Sequence, residues 1–253
     1  MEKTNIPKVI NYCWFGNNEK NELILKCIES WKKYLPDYEI KEWNENNFDV
    51  NCCDYVAEAY KAKKWAFVSD YCRMWVLYNF GGLYFDTDVE LIKSPGIIFD
   101  DPTIGFENKS CLNPGLVFAC EKGNWFCREM LECYDQDHFI IGDKLNCETI
   151  CDRSTKIFLS YGLCLNNKMQ QIKGYNIYPS DYFNPMGSNG GYLNITSNTI
   201  SIHNFAGTWI DDETKKTMTY SFKGKIFLFF NNIFGDKFAN KIRYIYKKIT
   251  KGR

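Results

Sequence analysis

The sequence predicts an α/β protein built on a central, mostly parallel sheet. Three observations carry that prediction. From residue 6 to about residue 90, apolar runs of strand length alternate with amphipathic helical stretches. Glycine or proline closes several of them. The short apolar run Leu83-Tyr84-Phe85 leads straight into two carboxylates, and sheets of this kind bind their ligands at the carboxyl ends of strands.

The elements follow in order. Residues 6–16, IPKVINYCWFG, read as a buried strand ending at a glycine turn, with Trp14 at the strand end. An indole there could stack on a flat ligand ring, although on pattern alone a core position is favoured. Residues 21–34 form an amphipathic helix through Leu23, Leu25, Cys27, Ile28 and Trp31, stopped by Pro36. A strand over 38–43, an Asn-rich turn and a helix near 55–63 come next. The stretch 65–80 is helical: Ala66, Asp70, Arg73 and Leu77 recur at spacings of three and four, beside a broad side of Phe67, Tyr71, Met74, Trp75 and Tyr78. Gly81-Gly82 ends it, since glycine accepts the left-handed turn that closes a helix. Beyond the carboxylates, strands are predicted over 103–107 and 116–120 around a turn at Leu112-Asn113-Pro114-Gly115. Helices follow over 124–134 and 148–161, then an irregular segment over 177–192, a strand over 199–203 and a turn at Gly207-Thr208-Trp209. No boundary falls before about residue 215, so 1–215 reads as one catalytic domain and 216–253 as a basic, aromatic-rich helical tail.

Composition is that of a globular enzyme, with 45% hydrophobic and 25% charged residues. The formal net charge of zero argues against a nucleic-acid partner. It conceals an asymmetry: nine Lys and Arg face a single acid, Asp236, over 221–253, leaving the tail at +8 and the rest at −8. Twelve cysteines show no C-x-x-C pair and no Cys/His zinc spacing. With neither a signal-peptide pattern nor a membrane-length apolar run, the expected location is cytoplasmic, with free thiols.

Asp86-Thr87-Asp88 is the chemically pointed feature. In an extended chain residues i and i+2 share a face, and two carboxylates side by side repel unless a cation sits with them. Oxygen ligands suit manganese or magnesium rather than zinc, and a hard cation of this type neutralises charge on a leaving diphosphate. Asp70 and Arg73, three apart on a helix, are a surface ion pair on the bland reading and part of a polar site on the sharper one. His203 alone reads as a structural strand-end histidine. The cluster Asp135-Gln136-Asp137-His138 reads as a solvated helix end.

Three motifs now carry a resemblance: IPKVINYCWFG, SDYCRMWVLYNFGGLYFDTDVE and IHNFAGTW. With shorter likenesses at Gly105-Phe106-Glu107, Asn113, Tyr178-Pro179 and Phe183-Asn184-Pro185, they span most of residues 6–210. The chain resembles glycosyltransferase family 32, related to the yeast initiating mannosyltransferase and distantly to the large clostridial glucosylating toxins. The resemblance implies a GT-A fold and a retaining transfer from a nucleotide sugar. It implies that Trp14 stacks on the base, that Asp70 and Arg73 hold the donor sugar, and that Tyr84, Asn113 and Trp209 line the donor pocket. Asp86 and Asp88 would be the catalytic carboxylates with Arg73, and Asp86, Asp88 and His203 the ligands of Mn2+ or Mg2+. A Thr-Gly-Pro often seen in the family's middle region is not evident around residues 151–155, which leaves the acceptor side open.

A double displacement would need a nucleophile on the sugar's far face, and the spacing favours neither Glu107 nor Asp143. Front-face substitution is therefore the expected route. The expected partners are a nucleotide-sugar donor, with uridine diphosphate preferred, and a saccharide acceptor. A lipid-linked acceptor would suit contact between 221–253 and the anionic inner face of a membrane, and the expected role is surface-polysaccharide synthesis. The alternatives are a protein-glycosylating effector and a non-enzymatic sugar- or calcium-binding module.

Overall fold

The computed structural model of the chain describes residues 5–186 and 193–206, which lie in one compact unit ending at Ala206. The expected turn at 207–209, with Trp209, and the tail 216–253 lie outside the described residues. The elements are β1 (Val9–Cys13), α1 (Glu22–Tyr34), β2 (Glu39–Trp43), α2 (Asp54–Lys61), α3 (Trp65–Phe80), β3 (Gly82–Tyr84), β4 (Val89–Leu91), β5 (Thr103–Asn108), β6 (Cys111–Cys120), α4 (Trp125–Glu132), β7 (Ile140–Ile141), β8 (Lys144–Leu145), α5 (Ile150–Ser160), β9 (Gln170–Ile172), β10 (Tyr175–Tyr178), α6 (Ser180–Phe183) and β11 (Ser201–His203).

Seven strands form the central sheet in the order β2-β1-β3-β6-β5-β10-β9. The pairs β1–β2, β1–β3 and β5–β10 are parallel, and β6 and β9 run against the other five strands. The predicted mostly parallel α/β sheet is therefore present. Helices cover both faces. Residues of α2, α3, α4 and α5 pack one core with Trp43, Phe106 and Phe118, and α1, Phe85 and Phe183 pack the other. Among the described residues no helix is long and apolar enough to cross a membrane, and none of the twelve cysteines is in a disulfide.

The fold is assembled to present the carboxyl ends of β1 and β3 together. Asn11, 1% exposed, donates to the carbonyls of Gly81 and Leu83 at 3.3 and 3.2 Å and accepts from the Trp43 indole at 2.9 Å. This buried amide bolts β2, β1 and the α3–β3 turn into one piece. Gly81 and Gly82 both have positive φ, and a Cβ on Gly82 would come within 2.6 Å of the Val9 carbonyl, so only glycine lets β3 lie this close to β1. On the far side, Trp31 of α1 donates to the Val89 carbonyl at 2.8 Å, and Ser30 accepts from Leu91 N–H at 2.9 Å. These bonds hold β4, which pairs with β11.

Three local expectations need correcting. The predicted turn over 112–115 lies inside β6, and the reversal comes earlier, between β5 and β6. Gly105 pairs with Asn113 while Ile104 pairs with Phe118, so residues 114–117 loop out of the β5 ladder as a large bulge, which accommodates Pro114. The expected irregular segment opens on order: its first residues complete β10, which forms a hairpin with β9 on Lys173-Gly174, both at positive φ, the backbone of a tight hairpin turn, and α6 follows over Ser180–Phe183. Finally, the extended chain stops before the acids. Val89 N–H donates to the Asp86 carbonyl at 3.0 Å, so residues 86–89 turn, and Asp86 and Asp88 do not share one strand face.

Candidate active site

Arg73 organises the site. It sits on α3, 4% exposed, with Nη2 at 3.0 Å from both Asp70 Oδ1 and Asp86 Oδ1. Its guanidinium lies 4.7 Å from the Tyr84 ring centroid, and the Tyr84 hydroxyl donates to Asp86 Oδ1 at 3.3 Å. Buried Asp70, Arg73 and Tyr84 thus form one cluster with half-buried Asp86 rather than a surface pair. Burial pushes the Asp70 carboxyl up to about 6 despite the attraction of Arg73. Two donors of Arg73, Nε and Nη1, are buried without a protein partner. Buried N–H groups are rarely left unmade, because the desolvation cost is not recovered.

Gly115 is a site residue the sequence reading missed. Its carbonyl accepts from Asp86 N–H at 2.8 Å, and a Cβ there would collide with Asp86 Oδ2 and come within 2.9 Å of Arg73 Nη1. Asn113 Oδ1 accepts from Gly115 N–H at 2.6 Å and so shapes the bulge that seats Asp86. The visible signal was Asn-Pro-Gly, read as a turn when it marks a close backbone approach.

Asp88 faces the other way. Its Oδ1 lies 3.1 Å from His203 Nε2 on β11, and its Oδ2 accepts from Ala206 N–H at 2.8 Å. Burial works against charge on both groups. Their mutual hydrogen bond wins, holding Asp88 below the usual carboxylate range and His203 above the usual imidazole range. His203 Nδ1 is buried without a partner. The structure therefore splits the expected metal trio: Asp88 and His203 are together, and Asp86 is with Arg73. Among the described residues no group of three His, Cys, Asp or Glu side chains is gathered to hold a metal. A divalent ion nevertheless fits the Asp88–His203 pair. Two ligands at right angles about an ion with bonds of roughly 2.1 Å stand about 3 Å apart, close to the observed separation, and an oxygen-plus-imidazole set suits manganese.

Trp14 follows β1, half-buried, its indole donating to the Asn18 carbonyl at 2.7 Å. Because β1 and β3 are parallel, it lies at the same sheet edge as Asp86. The cluster at 135–138 is not simply solvated: Asp137 pairs with buried Arg153, and His138 Nδ1 lies 2.8 Å from Glu58 Oε1.

Residues 21–110 match the family model described as the glycosyltransferase sugar-binding region containing a DXD motif. Over these residues the chain is similar to the DXD region of glycosyltransferases, and it carries that region on the mostly parallel α/β sheet described above. Among curated proteins, the uncharacterized protein At4g19900 of Arabidopsis thaliana is 33% identical over 124 residues, covering 47% of this chain; the match spans 18% of that relative's length. Two solved structures are similar in part. The PaToxG glycosyltransferase has TM-score 0.44 and 20% identity, over 63% of this chain and 70% of that one. A glycosyltransferase involved in glycosylation of the major capsid of PBCV-1 has TM-score 0.47 and 12% identity, over 85% of this chain and all of that one.

Proposed function

We propose that the chain is a metal-dependent, retaining glycosyltransferase that moves a hexose or N-acetylhexosamine from a nucleotide sugar, with uridine diphosphate preferred, to a saccharide acceptor. The observation that carries this is Arg73: a buried guanidinium held by two carboxylates, with two donor nitrogens left over, beside a second acidic centre at Asp88. Such a group is preorganised to hydrogen-bond a polyhydroxyl or phosphate ligand at no reorganisation cost.

In this reading Asp70 and Arg73 hold the donor sugar, Asp86 is fixed by Arg73, Tyr84 and Gly115 to meet the ribose side, and Trp14 stacks on the base. Asp88 and His203 would hold Mn2+ or Mg2+, with phosphate and water oxygens completing its shell. When bound, that ion neutralises charge on the departing diphosphate. Arg73 orients the sugar so that the acceptor hydroxyl approaches from the face the phosphate leaves, which retains configuration. The basic stretch 221–253, at +8, suits contact with an anionic inner membrane leaflet. A lipid-linked acceptor and a place in surface-polysaccharide synthesis go with it.

The test is release of nucleoside diphosphate from a panel of sugar nucleotides, with and without manganese. Manganese-dependent hydrolysis of one donor is expected. No release and no binding of uridine diphosphate would sink the reading.

A further inference from the structure

Glu107 is a carboxylate that the proposed chemistry leaves unused. It sits near the end of β5, half-buried, at the irregularity between the Phe106–Leu112 and Asn108–Cys111 pairs, and at the same edge of the sheet as Asp86, since β5 runs in the direction of β3. Its Oε2 accepts from Asn113 Nδ2 at 2.8 Å and from the Cys151 thiol at 3.6 Å. No partner among the described residues reaches Oε1. The other sequence candidate for a far-face carboxylate, Asp143, lies exposed in the turn between β7 and β8, so the structure separates the two.

Glu107 is tied to the donor cluster through short links. Asn113 uses its two amide ends at once, donating to Glu107 and accepting from Gly115 N–H, and Gly115 in turn accepts from Asp86. Neither the Asn113 amide nor the Glu107 carboxylate can rotate without breaking this chain. Beside it stands Asn184, 1% exposed, which donates to the Glu107 carbonyl at 2.9 Å while its Oδ1 is buried with no partner. Two acceptor oxygens, Glu107 Oε1 and Asn184 Oδ1, are thus left over by the protein itself, one of them in a fully buried amide. Acceptors without donors call for a ligand rich in hydroxyls.

Building on the transferase reading, we propose that Glu107 is a specificity-determining residue that accepts a hydrogen bond from one ring hydroxyl of the donor hexose through Oε1, with Asn113 and Cys151 holding the carboxylate in place. Both partners of Oε2 are donors. In Glu107→Gln they would claim the amide oxygen and turn the NH2 group toward the sugar, replacing an acceptor with a donor. Glu107→Asp would keep the charge and withdraw it by one methylene.

The experiment measures nucleoside diphosphate affinity, Tm and turnover for wild type and both variants, on the preferred donor and on analogues lacking each hydroxyl in turn. The expected result is a loss of about 10- to 100-fold in kcat/KM on the parent donor, with Tm and nucleoside diphosphate affinity unchanged. One deoxy analogue should be equally poor for all three proteins, because the partner hydroxyl is already gone. Equal losses on every analogue, or a parallel fall in nucleoside diphosphate affinity, would overturn the assignment. Variants that match an active wild type would overturn this inference alone. A wild type silent on every donor and without affinity for uridine diphosphate would overturn the transferase reading and this inference with it.

Discussion

Two buried arginines in this molecule have nearly the same surroundings and different ends. Arg73 and Arg153 are 4% and 5% exposed. Each has an Nη2 shared between two carboxylates, Asp70 and Asp86 in one case, Asp137 and Glu148 in the other. Each lies over a tyrosine ring, Tyr84 at 4.7 Å and Tyr134 at 4.4 Å. The difference is in what remains. Arg153 also donates through Nη1 to the Cys133 carbonyl at 3.2 Å, stapling α5 to the segment after α4, and only its Nε is unpartnered. Arg73 keeps both Nε and Nη1 unpartnered, and Gly115 has no side chain where Nη1 lies. The chain satisfies every Arg153 nitrogen but Nε, whereas Arg73 is left short at two nitrogens, whose acceptors a ligand can supply.

The comparison breaks most visibly under substitution. Arg73→Gln should lower donor turnover by about 10²- to 10³-fold, the usual effect of removing one preorganised donor. Arg153→Gln should instead cost about 3 kcal/mol of stability by leaving Asp137 without its cation, while Glu148 keeps Lys156, with turnover close to wild type where the variant remains folded. Thermal unfolding and diphosphate release on both variants would show the crossover. Equal effects on the two readouts would erase the distinction.

A smaller effect sharpens it. Asp70 holds its proton more tightly folded, near 6, than unfolded, near about 4. The folded state therefore binds more protons between these values, and stability falls as pH rises through that window, by about 3 kcal/mol in total. Asp70→Asn removes the dependence, so the unfolding free energies of wild type and variant should diverge between about pH 4 and pH 6. Parallel curves would mean that Asp70 is not desolvated as described.

What was legible in the sequence was what local physics decides. α3 and its glycine stop, α1, and the placement of Trp14 and Asp86 at one sheet edge all followed from periodicity and punctuation. Asn-Pro-Gly misled because its turn propensity is real, yet β3 and β5 flank it and draw it into a bulged strand. The Asp86–Asp88 geometry was misread because alternation holds only while a strand lasts, and β3 ends at Tyr84. The Gly115–Asp86 approach, the orphan oxygen of Asn184 and the burial of Arg153 depend on residues 16 to 77 positions apart. No local pattern encodes them.

The most direct test of the account is diphosphate release by Asp88→Asn beside wild type in the presence of manganese. Among the described residues the Asp88 side chain is held by His203 and the Ala206 N–H. The account predicts loss of at least about 10²-fold in rate, with the far-UV spectrum preserved. A variant that keeps most of its manganese-dependent rate would contradict the assignment of Asp88 and His203 as the metal centre.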